Sequence, residues 1–408
     1  MRELFTHGRA RVAIGLLVAE SVAATQGLVI AAIVPRVVAD LHGLSAYSLA
    51  FAAFFAAFFA FLPFAGPWAD RYGARRLLAI ALAIMAAGFA AIAAAPTMAA
   101  FVAGRFIEGI GDAIDYAVTF AIVAKVFADP LRARMIALQS AAWIVPAIVA
   151  PVLGAYVAMA LGWRWAFAAF LPLVGIAAVL LLPVVEARPE RTSVDPFGAL
   201  RALFARATFV AAPGVHATYV ALALMYAAFF GADAYVALTI TGVRGLPLSV
   251  AAACITVAAV AWSLGALAAP SLMQRRGPAE VVRAGGALGV TGACALAAVT
   301  LGAPLWLAFL GCALDGLGIG ITHPTLSVRG FGDAGRGEEG RASSAMLLAG
   351  IAGMLGGVLV CGAPVSLASH AHAALGTALA WTFALAACFA GALTAVAGRV
   401  RVPDRTPP

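Results

Sequence analysis

Seven charged residues interrupt long apolar stretches of this 408-residue sequence: Glu20, Arg105, Glu108, Asp112, Asp115, Asp233 and Asp315. In a lipid-like setting each such charge costs about 2.5–3.5 kcal/mol, so a path for substrate or protons is the expected reason for it. Four of them fall at i, i+3, i+7 and i+10, which places Arg105, Glu108, Asp112 and Asp115 in one stripe down a helix. An acid in a half-dry cavity can take up and give back a proton near neutral pH, and a nearby arginine changes that exchange as the two separate. Asp112 or Asp115 is therefore the expected proton carrier, with Arg105 and Glu108 adjusting the geometry. The alternative for Arg105 and Glu108 is mutual neutralisation across one helical turn. Glu20 and Asp233 also lack a base within sequence reach, and either is an alternative coupling site. A cavity with more acids than bases favours cationic or weakly basic ligands. Gln26, Tyr116, Tyr226 and Tyr235 can add polar or cation–π contacts, or serve only as packing and interface anchors.

The elements that must position these groups are membrane-spanning helices. Apolar residues make up 64% of the chain and charged residues only 11%, with a mean hydropathy of +1.02. That balance cannot coat a water-soluble particle of this size. Uninterrupted Ala/Leu/Val/Ile/Phe runs satisfy their own backbone hydrogen bonds as helices, so an all-α membrane protein is expected rather than a barrel. The sequence divides into twelve spans, roughly 12–35, 48–68, 77–97, 99–125, 135–160, 164–186, 213–241, 248–272, 284–302, 304–327, 343–367 and 374–397. Basic residues test the assignment: 22 of the 26 Lys and Arg fall in alternate hydrophilic segments on one side. Arg36, Arg164 and Arg244 lie on the other side and Arg105 within a span. This asymmetry predicts both termini in the cytoplasm. The short basic stretch before the first full-length span predicts that this span is its own insertion signal, with no cleaved leader.

Residues 188–212 form the longest polar stretch and divide the chain into six-helix halves, 1–187 and 213–408. Within it, Phe197, Leu200, Leu203 and Phe204 recur at helical spacing, expected either as a short helix on the cytoplasmic leaflet or as a solvated linker. The halves echo each other. Glu108-Gly109-Ile110-Gly111 matches Asp315-Gly316-Leu317-Gly318 at an offset of 207, and Arg71-Tyr72-Gly73 matches Arg275-Arg276-Gly277 at 204. Near-equal offsets predict a duplicated unit.

The turn between the second and third spans reads Gly66-Pro67-Trp68-Ala69-Asp70-Arg71-Tyr72-Gly73-Ala74-Arg75-Arg76. Here Gly66 is expected to allow close helix approach and Gly73 a tight turn. Asp70 can accept hydrogen bonds from a helix N-terminus, and Arg71, Arg75 and Arg76 can pair with carboxylates or lipid phosphates. The turn resembles the major facilitator loop signature at every defining position. Arg105-Phe106-Ile107-Glu108-Gly109-Ile110-Gly111 resembles that family's R-x-x-Q-G-x-G element, with Glu108 at the Gln position. Ala150-Pro151-Val152-Leu153-Gly154-Ala155 resembles the G-P-x-x-G-G element of its drug:proton antiporter branch, with alanine at two glycine positions. The resemblance implies the major facilitator fold, a twelve-helix transporter whose first, fourth, seventh and tenth helices line a central cavity. It also implies conformational gating through the loop signature and through Pro151 and Gly154, and a functional monomer.

The expected function is proton-coupled efflux of amphipathic or cationic small molecules in a bacterial inner membrane. A proton-coupled porter for one metabolite is the alternative, and a membrane-embedded enzyme or a sensor is a more remote one. No nucleophile–base pair or metal cluster has convincing spacing, and neither a cofactor nor a metal is expected. No basic patch with interleaved aromatics suggests nucleic acid. The absence of a G-x-x-x-x-G-K-[ST] loop argues against an ATP-driven pump. Cys254, Cys294, Cys312, Cys361 and Cys388 lie in apolar runs and read as inert core thiols.

Overall fold

The computed structural model describes residues 9–185, 197–205, 214–332, 339–371 and 373–400. Arg2, Arg188, Arg191, Arg206, Arg336, Arg401 and Arg405, and most of the linker, lie outside them. The described residues are helical, without strands. In chain order the helices are α1 (Arg9–Asp40), α2 (Leu49–Tyr72), α3 (Ala74–Ala93), α4 (Met98–Val126), α5 (Asp129–Ala141), α6 (Ile144–Ala160), α7 (Trp163–Ala168) and α8 (Phe170–Leu181). There follow α9 (Gly198–Leu203), α10 (Val215–Leu238), α11 (Leu248–Arg276), α12 (Pro278–Thr300), α13 (Trp306–Gly332), α14 (Glu339–Ala371) and α15 (Leu375–Val396).

Among the described residues, ten helical segments are long and apolar enough to cross a membrane. The two remaining expected spans differ for physical reasons. Helix α4 has the length, 29 residues, but carries the charged stripe that lowers its apolarity. The fifth span is divided: α5 ends at Ala141 and α6 starts at Ile144, where one continuous helix over 135–160 was expected. The linker hydrophobics do form a helix, α9, which packs on α14 with Leu203 buried and Phe197 and Phe204 exposed.

The chain divides into two compact units, Met1–Gly43 with Ala53–Pro196, and Leu44–Ala52 with Phe197–Pro408. In the first, α3 packs along α4, and α1 along α6 and α8. The α1–α6 approach is close because Gly154 faces Val29, where an added Cβ would lie 2.8 Å from a Val29 methyl. At one end of this unit Asp40 accepts from Trp163 Nε1 at 3.0 Å and Arg164 Nη1 at 3.3 Å, while Arg164 Nη2 donates to Ala95 O at 3.0 Å. In the second unit α13 lies between α11 and α12, and α10 packs on α14. There Tyr47 is buried, donates from Oη to Ala234 O at 2.8 Å, and lies 5.2 Å from the Tyr235 ring.

The duplication suggested by two short matches extends to packing partners. A Cβ at Gly111 would lie 2.6 Å from Met85 N and 2.8 Å from Ala81 O; at Gly318, 2.7 Å from Gly285 O and 3.3 Å from Gly289 N. Gly104 meets Ile92 as Gly311 meets Leu296, and Gly109 meets Phe54 O as Gly316 meets Ala258 O. In every case the α4-to-α13 offset is 207 and the partner offset is 204. The paired turns agree as well, since Gly73 (φ 88°) and Gly277 (φ 78°) both stand immediately before a helix in backbone that disfavours other residues. The close approach expected at Gly66 is not there: an added Cβ would meet nothing within 4 Å. Two cysteines also depart from expectation, since Cys294 and Cys388 are exposed rather than in the core.

Candidate functional site

Helix α4 starts at the Thr97 cap, whose side chain accepts from Ala100 N at 3.2 Å, and runs unbroken through the stripe. Its small residues Gly104, Gly109 and Gly111 bring α2 and α3 close, which removes water from the neighbouring charges. Arg105 is 2% exposed and commits its Nη1 to Glu108 Oε2 at 2.5 Å and to Gln26 Oε1 at 3.0 Å. Its guanidinium also lies 4.7 Å from the centre of the Phe54 ring. Glu108 packs against Gly88, and its Oε1 has no hydrogen-bond partner among the described residues. The mutual neutralisation considered from spacing is thus present, with Gln26 as a third member.

Lower in the stripe Asp112 is 7% exposed and Asp115 5% exposed. Asp112 lies within electrostatic reach of Asp115, Glu108, Glu20 and Arg105. Asp115 Oδ1 is buried without a hydrogen-bond partner among the described residues. Neither Asp forms an ion pair among the described residues. Glu20 reaches this group from α1 and is held by two residues that sequence reasoning missed. Trp143 Nε1 donates to Glu20 Oε1 at 2.6 Å, and Gln139 Nε2 to Oε2 at 3.5 Å. The available signal was a polar island, Gln139-Ser140, within an otherwise apolar fifth span.

The second unit holds Asp233 and Asp315, close enough for their charges to interact. Asp233 is half-buried on α10. Asp315 is 6% exposed and borders a cavity of about 10 Å³ inside the unit, walled by Phe229, Gly285, Gly286, Gly289 and Ala390 among others. Its packing on Gly292 repeats that of Glu108 on Gly88. The aromatic candidates are largely engaged with other rings. Tyr116 packs edge-on to Phe58, Tyr226 edge-on to His323, and buried Tyr235 donates to Val358 O at 3.2 Å.

Of the gating candidates, Arg71, Arg75 and Arg76 are exposed around the Gly73 turn, with Asp70 half-buried in the last turn of α2. Pro151 lies inside α6, one turn before Gly154 on the face that packs on α1. No group of three or more potential metal ligands occurs among the described residues.

A sequence profile described as Major Facilitator Superfamily matches residues 16–360. The chain belongs to this superfamily. It is a multi-pass membrane protein of a transporter family, not of an enzyme family. The multidrug resistance protein MdtL of Escherichia coli is 36% identical over 161 residues, 38% of this chain and 40% of that protein. The multidrug transporter protein MdtP of Bacillus subtilis is 26% identical over 168 residues, 41% of this chain and 31% of that protein. The matched stretch therefore spans less than half the length of these relatives. Among solved structures, the nucleoside transporter NupG superposes with a TM-score of 0.74 at 13% identity, covering 96% of this chain and 100% of that one. A bacterial homologue of the human lysosomal transporter Spinster gives 0.74 at 17% identity, with 98% and 99% covered. At such identities the likeness establishes the major facilitator fold and leaves substrate to the site itself.

Proposed function

We propose that this major facilitator protein is a secondary active transporter exporting amphipathic or cationic small molecules against proton influx by alternating access. The supporting observation is the division of charge in the first unit. Arg105 pairs with Glu108 and Gln26, while Asp112 and Asp115 are buried and form no ion pair among the described residues. A carboxylate so placed is stable only when a proton or a cationic ligand accompanies it, and that requirement couples the two cargoes. Asp112 and Asp115 carry the proton in this reading. Glu20 and Asp233 are the more accessible acids and take part in cation recognition, while Asp315 completes the set of embedded acids.

The exchanging bodies are the halves 1–187 and 213–408, joined by 188–212. The turn containing Gly66, Asp70, Arg71, Gly73, Arg75 and Arg76, together with Pro151 and Gly154, gates their movement. The setting is a bacterial inner membrane with both termini in the cytoplasm, and the working unit is a monomer. Names of the relatives MdtL and MdtP agree with a multidrug substrate range.

The test is efflux of a lipophilic cationic dye from pump-deficient bacteria, with and without a protonophore. Protonophore-sensitive efflux lost in Asp112→Asn/Asp115→Asn, with the protein still inserted and folded, is the expected result. Full gradient-driven efflux in that double variant would sink the proton assignment. No efflux above vector controls would redirect the substrate to a single metabolite.

A further inference from the structure

The geometry points to Trp143 and Gln139 as the residues that make Glu20 a subsite for an aryl-bearing monovalent cation. This deepens the export reading and rests on it. Three observations carry the inference. First, among the embedded acids of the first unit, Glu20 alone is both un-neutralised and accessible. Glu108 is paired with Arg105, and Asp112 and Asp115 are 7% and 5% exposed. Glu20 forms no ion pair among the described residues, and its two donors, an indole and an amide, are neutral. They fix the carboxylate's direction without cancelling its charge, so it can still attract an organic cation.

Second, Trp143 occupies an unusual position on its helix. It continues the stripe Ala147, Ala150, Gly154 and Ala158, the buried face of α6 that packs on α1. A tryptophan in that phase would ordinarily be covered, yet Trp143 is 43% exposed. It stands at the break between α5 and α6, at Ala142 and Trp143. A partly exposed indole therefore sits next to an uncancelled carboxylate, the pairing that recognises organic cations through cation–π and ionic contact together.

Third, the surroundings of Glu20 repel anions. Asp115 and Asp112 lie within its electrostatic reach, and Asp115 Oδ1 has no hydrogen-bond partner among the described residues. A cation seated on Glu20 would lower the field on those two acids, which gives the ligand a direct electrostatic route to the proton sites.

Equilibrium binding to the purified full-length chain tests this, using tetraphenylphosphonium as the cation and triphenylphosphine oxide as an uncharged aryl probe. Trp143→Ala is expected to weaken tetraphenylphosphonium about tenfold, Trp143→Phe less because the ring remains, and Gln139→Leu least. Affinity for triphenylphosphine oxide should change less than twofold in all three, a discrimination that a purely structural role would not produce. Trp165→Phe, at another exposed tryptophan, controls for general loss of an indole. Trp143→Phe preserves most of the volume, so the question survives even where Trp143→Ala fails to fold. Unchanged tetraphenylphosphonium affinity in the folded Trp143 variants, or equal loss of both probes, would overturn the subsite alone. A wild-type chain that binds no lipophilic cation would overturn the cation-export reading and the subsite together.

Discussion

In α4, Gly111 rests against Ala81 and Met85 of α3, and in α13, Gly318 rests against Gly285 and Gly289 of α12. The same correspondence pairs Gly88 and Glu108 with Gly292 and Asp315. The charges do not follow it. Where α4 has Arg105, α13 has Cys312; opposite Asp112 stands Ile319, and opposite Asp115 stands Thr322. Close helix approach needs small residues at fixed places, so the scaffold tolerates little change once the glycines are set. Positions between those glycines are free to change both size and charge, as Arg105 against Cys312 and Asp112 against Ile319 show. The comparison teaches that one packing frame carries an ionisable stripe on α4 and a single buried acid on α13.

The sharpest way to break this contrast is to remove the acids on each side. Asp112→Asn/Asp115→Asn is expected to lower protonophore-sensitive efflux at least 100-fold, as transport loses a coupled step worth about 2.7 kcal/mol or more. Asp315→Asn should cost less than tenfold, because α13 carries one acid where α4 carries the Asp112 and Asp115 pair. Equal losses would mean that the two units share the coupling.

A stability measurement comes next in size. Arg105→Ala strands the Glu108 carboxylate and should destabilise the first unit by about 3–5 kcal/mol, whereas Arg105→Met/Glu108→Leu should recover most of that loss. Cys312→Ala, at the equivalent place, removes one sulfur atom and should cost no more than about 1–2 kcal/mol. Thermal unfolding in detergent separates these cases.

Smaller effects examine the shared frame. Gly111→Ala and Gly318→Ala should each cost about 1–3 kcal/mol, and by similar amounts, since both press a methyl into backbone atoms of the facing helix. A cost at one and none at the other would show that the frames differ. Smallest is Gly66→Ala, expected within about 0.5 kcal/mol because open space surrounds that position. A large loss of transport there without loss of stability would place its role in a different conformation.

Much of this frame was legible in the sequence. The apolar runs, the alternating basic loops and the twin Gly-x-Gly elements depend on composition and local spacing, and these are properties of the chain itself. The same holds for the stripe, since residues at i, i+3, i+7 and i+10 must share a face wherever the helix goes. Gly66 was misleading because a motif states which residue is present, not what lies beside it. The fifth span read as continuous because its apolarity passes through Ala142 and Trp143 without interruption, whereas the break accompanies a hydrogen bond to a residue 123 positions away.

The sequence by itself determined that this chain crosses a membrane in helices, that its halves repeat, and that charges line one face of the fourth span. Hydrophobic free energy and helical periodicity are local, and they act before any two spans have met. Only the tertiary structure decided which charges are cancelled and which are left open. Arg105 chose Glu108 and Gln26, Glu20 received Trp143 and Gln139, and Asp315 was enclosed beside glycines of α12. Those outcomes depend on the rotation and depth of each helix against neighbours distant in sequence, and close packing of small residues fixes them.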